Sequence, residues 1–134
     1  MNEAEFKART RRLGVECVHL CRRLPREPAT EPLVRQLVRA ATSVGANYRA
    51  SCRGRSINEI LSKLSIVEEE ADETAYWLEV MTESQVVTRD SVAALHREAN
   101  EIVAMVVSSK RTLKARIGAK GFSSAATEIV NRES

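Results

Sequence analysis

Apolar residues recur at intervals of three and four along most of the chain. The first run is Phe6, Leu13, Cys17, Leu20 and Leu24; the second is Leu33, Leu37, Ala40, Ala41, Val44 and Tyr48. A third run, Ile57, Ile60, Leu61, Leu64, Ala71, Ala75 and Leu78, precedes a fourth, Val92, Leu95, Ala99, Ile102, Val103, Val106 and Leu113. Such spacing places each run on one face of an α-helix, and nothing along the chain alternates with the two-residue period of a half-buried strand. The pattern predicts helices over residues 3–23, 31–52, 57–83 and 89–116.

Punctuation falls between these runs. Pro25, Pro28 and Pro32 mark the first connection, because proline begins or breaks helices but rarely continues them. Thr30 is the expected N-cap of the second helix, with Pro32 in its first turn. Gly54 ends that helix. Ser56 and Glu59 then form an S-x-x-E capping box, and Thr88 stands where the fourth helix should be capped. Past Arg116 the periodicity fades into Gly118, Gly121, Ser123 and Ser124. Residues 1–116 are therefore expected to form one bundle and residues 117–134 a flexible C-terminal tail. Four helices joined by short turns predict an all-α, antiparallel up-down-up-down four-helix bundle.

Composition narrows the picture without naming a function. At 134 residues, 43% hydrophobic and 29% charged, the chain fits one folded domain rather than a disordered or membrane-embedded one. No window approaches the ~18 apolar residues of a spanning helix, and the N-terminus lacks a basic-then-apolar secretory pattern, so the cytoplasm is expected. Three cysteines, an odd number, argue against a disulfide framework. The net charge of +3 conceals a strong asymmetry: residues 56–83 hold eight acids and only Lys63, whereas the segments on either side are basic. That arrangement favours pairing between helices, within or between chains, and leaves positive surface for an anionic partner.

Several side chains are candidates for more than packing. Gln36, Arg39, Ser43 and Asn47 form a polar stripe on the second helix. The favoured reading is a buried, hydrogen-bonded seam, and a ligand-binding stripe is the alternative. Glu68 falls amid the apolar positions of the third helix, needs a partner if buried, and is expected to pair with Arg39 rather than act as a base. Opposite that helix's core face run Ile66, Glu69, Glu73, Trp77 and Val80, with Tyr76 alongside. An exposed Trp is uncommon, so this stripe is read as an oligomer interface. Cys17 and Cys21 share a face, but a four-ligand metal site would need more than Cys52, His19 and His96 provide; buried thiols are expected. H-E-x-x-H, the P-loop and G-x-G-x-x-G are all missing from the sequence, so no cofactor, metal, small-molecule ligand or catalytic role is expected. Arginines in the first segment and at the second turn are candidate phosphate contacts, with Arg22, Arg23, Arg53 and Arg55 expected to be presented together. No aromatic residues interleave them, so base stacking is not indicated.

The stretch from Gln36 to Met81 adds a resemblance. Gln36, Arg39, Ala40, Ser43 and Asn47 match a Q-x-x-R-A-x-x-S-x-x-x-N pattern, and Arg55, Ser56 and Glu59 match R-S-x-x-E after the turn. Leu64, Ile66, Ala71, Glu73, Trp77 and Leu78 extend the match. This resembles the bacterial four-helix-bundle family that includes proteins encoded in 23S rRNA intervening sequences, over about residues 6–115. Where the common branch has E-G after the Asn, this chain has Ala50 and Ser51, so no role of that Glu is carried over. The resemblance implies a homopentamer. It also implies a fold similar to the accessory protein of diversity-generating retroelements, which associates with nucleic acid and a reverse transcriptase. The sequence thus predicts a non-enzymatic, homo-oligomeric module of scaffold type, with a backbone-directed RNA- or DNA-binding accessory protein as the alternative.

Overall fold

A computed structural model describes residues 2–120. These form four helices, α1 (Glu3–Arg22), α2 (Glu31–Ser51), α3 (Ile57–Glu83) and α4 (Arg89–Lys120), and the described residues contain no strand. The fourth helix continues four residues past Arg116; the expected tail otherwise falls on residues 121–134, outside the described residues. No described helix is long and apolar enough to cross a membrane.

The helix ends are set locally. Asn2 opens α1, its Oδ1 accepting from the Glu5 backbone N–H at 2.8 Å. Ser56 Oγ accepts from the Glu59 N–H at 3.1 Å, the hydroxyl half of the expected capping box, and Thr88 Oγ1 accepts from the Ser91 N–H at 3.3 Å. Thr30 departs from expectation. Its backbone is already helical (φ −82°, ψ −32°), its side chain makes no cap bond, and it is buried instead. The proline-flanked turn feeds α2 through backbone bonds from Thr30 and Glu31 to the Glu27 carbonyl, so the hydroxyl is not needed. α3 stops in a Schellman motif. Gln85 takes the left-handed conformation (φ 65°), its N–H donates to the Thr82 carbonyl at 3.1 Å, and the Val86 N–H reaches the Met81 carbonyl at 2.9 Å.

Each helix buries one stripe. Along α3 the buried positions are Ile57, Ile60, Leu64, Val67, Ala71, Thr74, Ala75, Leu78 and Met81, an alternation of three and four that keeps one seam inward for the helix's full length. Phe6, Leu13, Cys17 and Leu20 on α1 meet Leu37, Ala41, Val44 and Tyr48 on α2, and Val92, Ala99, Ile102, Val106 and Leu113 complete the core from α4. Fully burying a Leu, Ile or Met side chain contributes about 1.5–3 kcal/mol, against less than about 1 kcal/mol for an exposed ion pair, so these stripes carry the fold. Consecutive helices pack along their lengths, whereas α1 and α4 touch only lightly. That lighter side is clasped by Arg9. Its guanidinium donates to both Glu98 oxygens (2.6 and 2.8 Å) and to Glu101 (2.7 Å). Hydrogen bonding from Arg9 holds the Glu98 carboxyl below its usual range.

Between α1 and α2 the approach is backbone to backbone. A Cβ on Gly45 would lie 3.1 Å from the Arg11 Cα and N, and one on Gly14 would lie 3.2 Å from the Thr42 Cα. Both neighbours are main chain and can yield only if the helices part. Gly118, in α4, has nothing within 4 Å of its would-be Cβ. Replacing glycine by alanine in an open helical position gains about 1 kcal/mol of propensity. Gly118→Ala should therefore raise the denaturation midpoint, whereas Gly45→Ala should gain nothing and Gly45→Val should cost about 1–3 kcal/mol by overpacking. Urea unfolding followed by circular dichroism checks this; a stabilised Gly45→Val would refute the close approach.

Candidate functional site

The glycine contact leaves a groove along the outside of α1 and α2, with a volume of about 650 Å³. On α1, Lys7, Arg11, Val15, Val18 and Arg22 follow one another at three- and four-residue steps, so they line one wall. Thr42, Gly45, Ala46, Arg49 and Arg53 line the other, and Gly14 and His19 complete the surface. Val15 is 45% exposed, an aliphatic patch on the floor.

Charge distinguishes this groove. Its lining includes Lys7, Arg11, Arg22, Arg49, Arg53 and His19 but no carboxylate. Lys7 is held by Glu3 at 3.3 Å, and the His19 ring stands 4.0 Å from Glu16, outside the groove. Arg11, Arg22, Arg49 and Arg53 are exposed, and their side chains make no hydrogen bond or ion pair with any described residue. Other arginines are paired: Arg9 with Glu98 and Glu101, Arg26 and Arg35 with Glu31, Arg39 with Glu70 and Glu73. A second depression of about 730 Å³ between α3 and α4 differs in kind. Its edge mixes Glu79, Glu83 and Glu101 with Arg89, Arg97 and a His96 ring bonded to Glu79 at 2.8 Å.

The expected arginine cluster is rearranged. Arg11 lies against Gly45, and the Phe6 and Tyr48 rings meet edge to face at 4.6 Å. The α2–α3 turn therefore sits by the start of α1, far from its end. Arg22 and Arg53 occupy opposite ends of the one groove, and Arg23 and Arg55, though exposed, are not part of its lining. Arg11 and Arg49 are the central pair that the sequence reading left unselected. Their signal was present: basic residues at positions 7, 11 and 22 share a face with Val15 and Val18, and glycines at 14 and 45 mark a close contact.

The expected buried seam is also corrected. Gln36 is exposed and Arg39 is 47% exposed, whereas Ser43 and Asn47 are half-buried, so the seam with the third helix forms at the surface and not inside. Arg39 donates to Gln36 Oε1 at 3.1 Å, to Glu70 at 2.9 Å, and to Glu73. Asn47 turns back on its own helix, its Nδ2 donating to the Ser43 carbonyl at 2.9 Å. Glu68 is not Arg39's partner and is not in the core. Val67 takes the inward position, fully buried, and Glu68 sits one residue round the helix, bonded to Lys110 at 3.0 Å. On the outer stripe of α3 the exposed ring is Tyr76 (54%), not Trp77. Trp77 is half-buried against the core, its Nε1 donating to Glu73 Oε2 at 3.0 Å. Ile66 and Val80 are half-buried, and Glu69 is exposed.

Of the three thiols Cys17 is buried, and Cys21 and Cys52, expected to be buried, are half-buried. Burial pushes Cys17 up to about 12 and Cys52 up to about 11, and raises Cys21, which keeps all three protonated and poorly nucleophilic near neutrality. Among the described residues no group of three or more His, Cys, Asp or Glu side chains is placed to hold a metal ion.

The sequence model of the 23S rRNA-intervening sequence protein family matches residues 2–108, most of the chain. The chain belongs to that family. A member of the S23 ribosomal protein family from Bacteroides thetaiotaomicron VPI-5482, described as a protein of unknown function, has a similar crystal structure. Identity is 29% and the TM-score 0.76, over 83% of this chain and 99% of the other. No functionally curated protein matches the chain. Membership in the intervening-sequence family thus accounts for the four-helix fold, and its solved relative brings no assigned activity.

Proposed function

We propose that this protein is a non-enzymatic, self-assembling module that holds RNA or DNA by its phosphate backbone. The observation that carries the reading is the acid-free groove with four unpaired arginines, Arg11, Arg22, Arg49 and Arg53. Unpaired arginines gathered in a groove without a carboxylate are suited to an outside anion, and guanidinium groups match phosphate geometry. Because no aromatic side chain lines the groove, contacts go to the backbone and sequence is read weakly. Three free cysteines are in keeping with a cytoplasmic setting.

Self-assembly is the companion reading, with the pentamer that the family resemblance implies. It is favoured by the outer stripe of α3, where exposed Tyr76 lies among half-buried Ile66, Trp77 and Val80, and by Glu69 and Asp72, exposed acids without an ion-pair partner among the described residues. The antiparallel up-down-up-down arrangement is supported by paired contacts: Phe6 with Tyr48 and Arg11 with Gly45, Arg39 with Glu70 and Glu73, Glu79 with His96 and Glu68 with Lys110. A ring would repeat the arginine groove around an axis and add avidity that one weakly basic bundle lacks.

Two measurements test these readings. Purified in low salt, the protein should carry material absorbing at 260 nm and lose it in high salt, as counterion release requires. Changing Arg11, Arg22, Arg49 and Arg53 together to Gln should lower retention at least tenfold with helicity unchanged; full retention by that variant would reject the groove. For assembly, light scattering of wild type should give a multiple of 14.9 kDa. Tyr76→Ala with Glu69→Arg should reduce that mass with helicity unchanged; Glu69 avoids the Arg39–Glu73–Trp77 contacts, and Tyr76 touches them only through its edge-to-face contact with Trp77 at 5.0 Å. A monomeric wild type at micromolar concentration would remove the assembly reading.

A further inference from the structure

The shape of the α1–α2 groove, and not only its charge, selects among nucleic acids. We infer that its ligand is a single strand, laid along the groove, rather than a duplex; this rests on the nucleic-acid reading above. From Lys7 to Arg22 the α1 wall covers fifteen residue steps, about 22 Å at ~1.5 Å per residue. That length matches about six nucleotides at the ~3.4 Å spacing of a stacked strand.

Width follows from the glycines. With Gly45 against the Arg11 backbone and Gly14 against Thr42, the two helices stand at the close end of the ~8–10 Å interaxial range. The arginines of both walls therefore flank a narrow trough. A strand lying in it offers phosphates to Arg11 on one side and to Arg49 on the other, while its sugars and bases meet the methyl groups of Val15 and Ala46 on the floor. A duplex fits poorly. Its bases face inward, out of reach of the floor, and only one ridge of phosphates can approach a trough between two helices. Proteins that read duplexes usually do the reverse and insert a convex helix into the DNA groove. The exposed Val15 has no use in a purely electrostatic contact with a duplex backbone, but it gains a partner when unpaired bases lie over it.

Fluorescence anisotropy of the full chain at 50 mM salt tests this, with a uridine 12-mer, a 12-base-pair RNA duplex and a thymidine 12-mer as probes. The uridine strand should bind at least tenfold more tightly than the duplex. The thymidine strand should bind within threefold of it, since the contacts are to phosphate; a preference above tenfold for either sugar would overturn the backbone assignment. Four phosphate contacts to a single strand predict a log–log salt slope of about −3, and Arg11→Gln with Arg49→Gln should bring it near −1.5 and weaken binding at least tenfold. Arg97→Gln, on the mixed-charge α3–α4 side, should change neither. Duplex binding as tight as single-strand binding would overturn the inference while leaving the nucleic-acid reading intact. If no probe binds, both fall. An acidic helical peptide of the α3 sequence that bound where the oligonucleotides did not would reassign the groove to a protein partner.

Discussion

The contact of α1 with α2 at Gly14 and Gly45 is the constraint from which the outer surface follows. Side chains at these positions would hold the helices apart and fill the space between them. With hydrogen there instead, the backbones meet, and the flanking residues at three- and four-residue steps are turned outward as two facing walls. Those walls carry Lys7, Arg11, Arg22, Arg49 and Arg53. Thr10, Leu13 and Cys17 are fully buried on the inner side of α1, so the groove backs onto the core.

Charge is sorted by the packing. Acids of α3 and α4 that face another helix are paired with bases there: Glu70 and Glu73 with Arg39, Glu68 with Lys110, Glu79 with His96, Glu98 and Glu101 with Arg9. Most of these pairs are partly exposed and contribute little to stability each, but they consume the acids that would otherwise reach the α1–α2 side. Of the arginines left unpaired, Arg11, Arg22, Arg49 and Arg53 share a groove with no carboxylate. A positive surface concentrated in this way draws polyanions more strongly than the same net charge spread evenly.

Much of this fold is legible in the sequence. The four helices, the Ser56 and Thr88 caps and the turn at Gly54 follow from spacing and local chemistry. What misled was phase. The α3 core repeats at three and four, averaging 3.5 residues, whereas projection at 3.6 drifts by about 20° per heptad. Over its 27 residues that drift is enough to overlook Val67, Thr74 and Met81 and to place Glu68 in the core. Arg39 was then given the wrong acid of α3 as partner, and a seam that forms at the surface was read as buried. The groove was legible only in pieces. Its two walls come from different helices, and which arginines face each other depends on the glycine contact, which periodicity does not measure. Trp77 and Tyr76 exchanged roles for a similar reason: adjacent residues differ by 100° on the helix, and the bond from Trp77 to Glu73 is invisible to composition.

A small-residue helix contact, a set of unpaired arginines and an anionic strand meet at one place in the proposed complex, the α1–α2 trough. An amide nitrogen–proton NMR titration of the full chain with a uridine 12-mer tests that placement most directly. Resonances of Gly14, Val15, Gly45, Ala46 and Arg49 should shift together and saturate at one strand per trough, while those of Leu78, Val92 and Ala93 between α3 and α4 stay in place. Shifts confined to α3 and α4, or scattered evenly over the basic surface, would contradict it.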